Sequence, residues 1–520
     1  MINKILNYLI NTYHYLNVKN APLYRPILVF SIVLPIVLSI WSLFFFLDNK
    51  IYLIGSDAFY YKSISDSILQ FGEFQDITQK DPISVKTPQN GIVIIHLILT
   101  LIGISKYNLF PFIVFINYFF YLSAIYPLYK IFFIVSNNSQ KKDVIPLIGV
   151  YLSAWHIYRI NLLAINDGIF NSLIIWSVYF SIILVNSIES NKTYSTKIFE
   201  VIKFVILIGI TSLFRVNIFF VILASIMALI FTKRFKTLKY FSIFPILLLT
   251  IFWIMFSVID IRAFEKTDFL TRVSNIILQP EGFNQLTRLL SNILPRVIFG
   301  SWGISSRIFK IIIIVFPLSM IYYGIRGIRL NHYPKVLISS LCILSLWFTF
   351  SFPNARVIWY IFPFVYLIVF TIKEIRLFGY IFYFFVIIQT FQEFHIGYNR
   401  MPESELFLHI YENKIELSEK NSMLLTRKAR HSYFLFDKRA YRISDDVDGI
   451  IDGKIPIPNS LKRDLFNNSR PLYILGDSTY ISHSYNSLFS IDSISTKNLH
   501  ISSVTPNLSK FSGWSLVLMK

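Results

Sequence analysis

Long apolar stretches separated by short polar gaps run along the chain as far as about residue 391. Stretches of membrane length with few charges inside them are the pattern of spanning helices. The predicted spans, about eleven in number, cover roughly 27–47, 108–135, 144–158, 168–186, 199–213, 216–232, 238–259, 307–325, 335–350, 356–371 and 377–391. Barrel strands would show short alternating segments, and these runs are too long and continuous for that. The expected fold is an all-α polytopic membrane bundle.

Two segments between the first spans have a different pattern. Ala58, Tyr61, Ile64, Ser65, Ile68 and Leu69 recur at helical spacing just after the first span. This predicts an amphipathic helix whose apolar face lies on the bilayer and whose start presents Asp57 to a cavity. The run Gly91–Ile104 is short for a span. Counted as a crossing, it would move Lys141 and Lys142 to the other side and reverse every later loop, so it is read as a helix lying on the membrane surface.

From about residue 392 polarity rises, and Pro402, Pro456, Pro458 and Pro471 punctuate the chain. Ser432–Asp437, Pro471–Leu475 and Trp514–Met519 read as short strands. The predicted organisation is a transmembrane domain over 1–391, with a first outer loop at 48–107 and a late outer loop at 260–306. A small extracytoplasmic α/β domain follows over 392–520.

Charge sets the expected orientation. Only 15% of the 520 residues are charged, against about 25% in soluble domains, and 54% are hydrophobic. The net charge of +20 comes from lysines and arginines in the gaps, among them Lys141, Lys142, Lys233, Arg234, Arg326 and Arg329. By the positive-inside rule those gaps are cytoplasmic. The N-terminus is then cytoplasmic, the C-terminal domain extracytoplasmic, and the membrane the cell inner (plasma) membrane. No basic stripe or groove-reading motif appears, which excludes nucleic acid as a partner. The single cysteine, Cys342, rules out an internal disulfide and a cysteine-based metal site. The first apolar run lacks a small-residue cleavage site and is expected to remain as a span.

This topology gathers ionisable residues on the outer face, where they are functional candidates. Asp57 follows the first span, and Asp167 opens the span near 168. Arg159, Arg215 and Arg356 end or start others, and Lys86 precedes the surface helix. Each has a plain structural reading. The two aspartates could cap helices, the arginines could snorkel to headgroups, and Tyr60 and Tyr61 could be interfacial anchors.

Four features together resemble the C-type fold of membrane glycosyltransferases, in particular the protein O-mannosyltransferase and lipid A aminoarabinose transferase group. They are Asp57 with Tyr60, Tyr61 and Ser65–Gly72; Lys86-Thr87-Pro88 leading into Gly91–Gly103; Asp167; and Leu213-Phe214-Arg215. The resemblance covers roughly 25–391. It departs from the family where Ala58 follows Asp57 and where Val85 precedes Lys86, positions at which relatives often carry an acid. No Asp-x-Asp occurs in the outer loops, so no metal or other cofactor is expected.

The resemblance implies an inverting transfer of a sugar from a polyprenyl-phosphate donor to an acceptor hydroxyl on a glycan, lipid or protein. Asp57 is the implied general base. Lys86, then Arg215 and Arg356, are implied ligands of the donor phosphate. Asp167, Tyr60, Tyr61, Arg159 and Arg296 are candidates for substrate binding. Loop 260–306 reads either as a lid or as a solvated connector. Two alternatives stand beside this reading. A lipid or glycan transporter (flippase) would favour midplane charges and internal repeats. An outer-face glycan polymerase or ligase would favour arginine and histidine in the late outer loop.

Overall fold

The computed structural model describes residues 24–48, 50, 56–80, 83–84, 91–136, 144–190, 193–241, 294, 297, 314–348, 355–397, 402–417, 422–426, 428–442, 461, 463–464, 471–477, 480–484, 501–503 and 514–519. Lys86, Arg296 and nearly all of loop 260–306 lie outside the described residues, as do most of 238–259 and the start of 307–325.

In chain order the helices and strands begin with α1 (Tyr24–Asp48), α2 (Ser56–Phe71), β1 (Gln75–Asp76), β2 (Ile83–Ser84) and α3 (Gly91–Leu101). Next come α4 (Lys106–Ser123), α5 (Ile125–Ser136), α6 (Val144–Ser153), α7 (Trp155–Leu162), α8 (Asn166–Glu189), α9 (Tyr194–Phe214), α10 (Phe219–Phe231) and α11 (Phe235–Phe241). Then follow α12 (Val315–Arg329), α13 (Tyr333–Phe348), α14 (Phe362–Thr371), α15 (Arg376–Gly397) and α16 (Pro402–Glu412). The chain closes with β3 (Met423–Thr426), α17 (Ala429–Phe436), β4 (Tyr441–Arg442), β5 (Leu472–Asp477), β6 (Ile501–Ser503) and β7 (Trp514–Met519).

These elements form two compact units. The first draws its described residues from Met1–Asp48, Val114–Val258 and Glu265–His395. Here α8 packs on α9, α13 packs on α10 and on α12, and α1 packs on α6. Outward-facing positions are apolar: Val29, Val33, Ile36, Ile40 and Phe44 on α1, and Ile198, Ile202, Ile206 and Ile210 on α9, are all exposed. Hydroxyls turn inward instead, where the buried Ser181 is bonded to Ser225 at 2.9 Å and to Tyr333 at 2.7 Å. A rim this apolar is unfavourable in water and is what a lipid-facing bundle presents. The unit is a membrane bundle.

Among the described residues three helical stretches are long and apolar enough to cross a membrane alone: Lys106–Ser136, Asn166–Glu189 and Lys373–Phe391. The predicted span 108–135 lies within the first of these, and helical hydrogen bonds run on past Ala124, where α4 meets α5: Ala124 N–H donates to Phe120 C=O and Leu128 N–H to Ala124 C=O, both at 3.1 Å. Others are interrupted for local reasons. The predicted 144–158 divides at Ala154, whose ψ of 111° is extended and starts α7. The predicted 356–371 opens as a 3-10 segment, Ala355–Ile361, and becomes α-helical where Pro363 sits in the first turn of α14.

The second unit draws its described residues from Asn49–Ile113 and Ile396–Lys520. Its sheet has the order β4-β3-β5-β7-β6. β4, β3 and β5 run parallel, while β7 lies antiparallel to both β5 and β6. Leu406, Phe407, Ile410, Leu424, Tyr473, Leu475, Leu516 and Leu518 form its core. The loop after the first span belongs to the same unit. Gln79 bridges in parallel to Ala440, and Lys80 N–H donates to Ala440 C=O at 2.9 Å, so residues 78–80 extend the edge beside β4.

Two local expectations change here. Ser432–Asp437 is helical, not a strand, within α17, which ends at Asp437 with φ of 50°. Its aromatics are packed from the helix instead, Phe434 on Phe59 and Phe110, and Phe436 on the sheet core. The inward side of α2 rests on protein as well: Ala58 and Ile64 are fully buried, and Ile64 meets Val93 of α3. α3 keeps a lipid-compatible side. His96 and Leu99 point inward, while Ile94, Ile98 and Leu101 are exposed at helical spacing.

Candidate active site

Asp57 stands in the first turn of α2, with its side chain 37% exposed. A carboxylate there complements the helix dipole. It also faces a cation that sequence reasoning missed. Arg430 of α17 places Nη1 4.0 Å from Asp57 Oδ1. The Arg430 Nε–H points to Asp76 Oδ2 at 3.3 Å, and its guanidinium carbon lies 4.4 Å from the Tyr60 ring centroid. Asp76 is itself held tightly. Its Oδ1 accepts from Ser63 Oγ at 2.8 Å, Thr78 N–H at 3.1 Å and Thr78 Oγ1 at 2.7 Å.

Aromatic packing brings these elements together. Phe59, two residues after Asp57, lies 4.7 Å from His431 and 5.1 Å from Phe434, ring centre to ring centre. Phe110 closes the cluster at 5.2 Å from Phe59 and 5.0 Å from Phe434. Arg430 adjoins His431 in the chain, so the cluster that docks α17 on α2 also delivers the guanidinium to Asp57.

Further along α2, Asp66 is ion-paired to Lys62 and accepts from Tyr433 Oη at 3.4 Å. Burial pushes the Asp66 carboxyl up, against the opposing pull of Lys62. Burial pushes His96 of α3 well down, and the Lys62 charge adds to this. Tyr60 and Tyr61 pack side by side, with centroids 5.6 Å apart, against the Ile64–Val93 contact.

The other unit carries a second polar cluster. Asp167, in the first turn of α8 and 2% exposed, is ion-paired with Arg215, the residue that ends α9. Around the α7–α8 turn, Asn117 Nδ2 donates to the carbonyls of Asn161 (3.2 Å) and Ile165 (3.4 Å). Gly168 fits because a Cβ there would stand 2.7 Å from Asn161 Oδ1. Arg159 is half-buried on α7. Of Arg356 only the backbone is described, in the 3-10 segment.

Asp57, Tyr60 and Tyr61 thus belong to one unit, and Arg159, Asp167 and Arg215 to the other. A cavity of about 260 Å³ in the second unit is lined by Lys106, Tyr107, Tyr411, Lys414, Glu416 and Lys438 among others, and Asp57 and Arg430 are not part of it. Among the described residues no group of three or more histidines, cysteines or acids is arranged to hold a metal. The missed residues had a weak signal at most. Reading Ser432–Asp437 as a strand hid the helix that carries Arg430, and Asp76 sits in an unremarkable polar stretch.

No protein-family model and no curated protein matches the chain in sequence. Solved structures do match in shape. ArnT of Cupriavidus metallidurans, a lipid A aminoarabinose transferase, in the apo state superposes with a TM-score of 0.51 at 10% identity, over 92% of this chain and 97% of ArnT. ArnT bound to undecaprenyl phosphate gives 0.46 at 10% identity, over 92% and 98%. An oligosaccharyltransferase of Archaeoglobus fulgidus gives 0.46 at 14% identity, over 81% of this chain and 64% of its own. Apo ArnT spans nearly the whole length of both chains, and the chain shares its fold, that of the C-type membrane glycosyltransferases.

Proposed function

We propose that the protein is an inverting membrane glycosyltransferase that uses a polyprenyl-phosphate sugar as donor. The observation that carries this reading is the partly exposed Asp57 carboxylate at the start of α2, beside Arg430, in a chain with the fold of ArnT. ArnT binds undecaprenyl phosphate, which supports a lipid-phosphate donor here.

In the proposed step an acceptor hydroxyl oxygen attacks the anomeric carbon. The new O–C bond forms as the bond from that carbon to the phosphate oxygen breaks. Asp57 takes the hydroxyl proton, and the lipid phosphate leaves with the electron pair. Cations are needed where charge builds on the leaving phosphate. Lys86, Arg215 and Arg356 are proposed for this role. Arg215 is already paired with Asp167, which supports Asp167 as the group that orients this cation. Asp167, Tyr60, Tyr61, Arg159 and Arg296 are proposed for sugar or acceptor contacts, with the reaction on the extracytoplasmic face. The proposed organisation keeps a transmembrane domain over 1–391 and an extracytoplasmic domain over 392–520. No metal is invoked.

The test is transfer of label from polyprenyl-phosphate sugars in membranes that contain the parent or Asp57→Asn. Release of label by the parent alone supports the reading. Equal release by both removes Asp57 as base, and no release from any donor by the parent overturns the transferase reading.

A further inference from the structure

We infer that Arg430, supplied by the segment after the last spanning helix, is a positioning residue for Asp57. The inference rests on the proposed role of Asp57 as base.

Three contacts fix the guanidinium, and each uses a different part of it. Nε–H is committed to Asp76, the flat face lies on Tyr60, and Nη1 is turned to Asp57. Asp76 is a rigid anchor because its other oxygen already accepts three hydrogen bonds and its side chain is only 4% exposed. Fixing one edge and one face of a planar group fixes the direction of the remaining N–H bonds. Arg430 therefore reaches Asp57 as a preset charge. At 4.0 Å it biases the carboxylate toward one orientation without closing into a short bidentate pair, and Asp57 keeps more than a third of its surface. Lysine could supply the charge but neither the fork nor the stacked face.

All the groups that make this clamp lie within the second unit: Asp57, Tyr60, Ser63 and Asp76 before the bundle, and Arg430 after it. A base held within a narrow range of angles reacts faster without binding the donor more tightly. Loss of the clamp should therefore lower kcat and leave the donor KM alone.

The experiment measures kcat and donor KM for Arg430→Met, Arg430→Lys and Arg430→Ala, with Asp57→Asn and Arg439→Met alongside. Arg439 stacks on Phe71 elsewhere in the same unit and serves as the control for losing an arginine. Arg430→Met should lower kcat at least about tenfold with donor KM unchanged. Arg430→Lys should fall between it and the parent, and added guanidinium ion should restore part of the Arg430→Ala rate, which a folding defect would not allow. Should Arg430→Met fold poorly, Arg430→Lys decides, because it keeps a donor for Asp76. Full activity in Arg430→Lys, or a raised donor KM with unchanged kcat in Arg430→Met, overturns the inference. An inactive Asp57→Asn beside a fully active Arg430→Met sinks the positioning role alone. An active Asp57→Asn sinks the base, and the positioning role with it.

Discussion

Asp76 and Arg430 are 354 positions apart and joined by a 3.3 Å contact from Nε–H to Oδ2. The contact links β1, which follows α2, to α17. Asp76→Ala removes the partner of a partly buried guanidinium and strands the Thr78 donors. We expect the second unit to lose about 3 kcal/mol, read as a lowered denaturation midpoint. Unchanged stability would mean that the contact is not made in solution.

Asp167 and Arg215 form a buried ion pair in the bundle. Breaking such a pair from one side leaves a charge without compensation. Arg215→Met should destabilise the bundle by about 3–5 kcal/mol, while Asp167→Leu combined with Arg215→Met should recover much of that loss. The measurement is a double-mutant cycle on thermal unfolding in detergent. Simple additivity of the two changes would refute the pairing.

Gly168 sits where α8 leaves the turn from α7. A methyl group there would meet the side-chain amides of Asn161 and Asn117, at 2.7 and 3.1 Å. Gly168→Ala should cost about 1–3 kcal/mol, whereas the same change at Gly72, which has open space around it, brings no clash and tests only the positive φ of 68°. Comparison of the two melting temperatures checks the crowding.

His96 is fully buried on α3, outside the spanning helices, and burial holds its pKa well below the ordinary 6.5. The unfolded chain therefore takes up a proton at a pH where the folded chain does not. Stability from keeping His96 neutral is complete above about pH 6.5 and is lost as pH falls from there toward the folded value. Asp66 works in the opposite sense. Its raised pKa favours the folded state below 3.8, and that contribution disappears as pH rises through the folded value. His96→Phe should flatten the acid-side decline in stability between pH 6.5 and 5, while an unchanged slope would assign the decline to other groups.

The membrane bundle was legible because lipid imposes a rule that sequence alone obeys. Spanning segments must be apolar and internally hydrogen-bonded, so α8, α9 and α13 lie close to where hydropathy puts them. Helix breaks were less legible, since Ala154 interrupts a run that hydropathy joins. Asp57 was readable at a helix start because capping and dipole effects are local. Its partner was not. Arg430 and Asp76 are ordinary polar residues until Phe59, His431 and Phe434 pack and bring their helices together. Propensity favoured a strand at Ser432–Asp437, but tertiary packing of Tyr433 and Phe434 is met by a helix, α17. Local patterning thus determined which segments span and which carboxylate opens α2. Long-range packing decided which cation meets that carboxylate, because a contact across 373 positions, from Asp57 to Arg430, leaves no periodic trace in the chain.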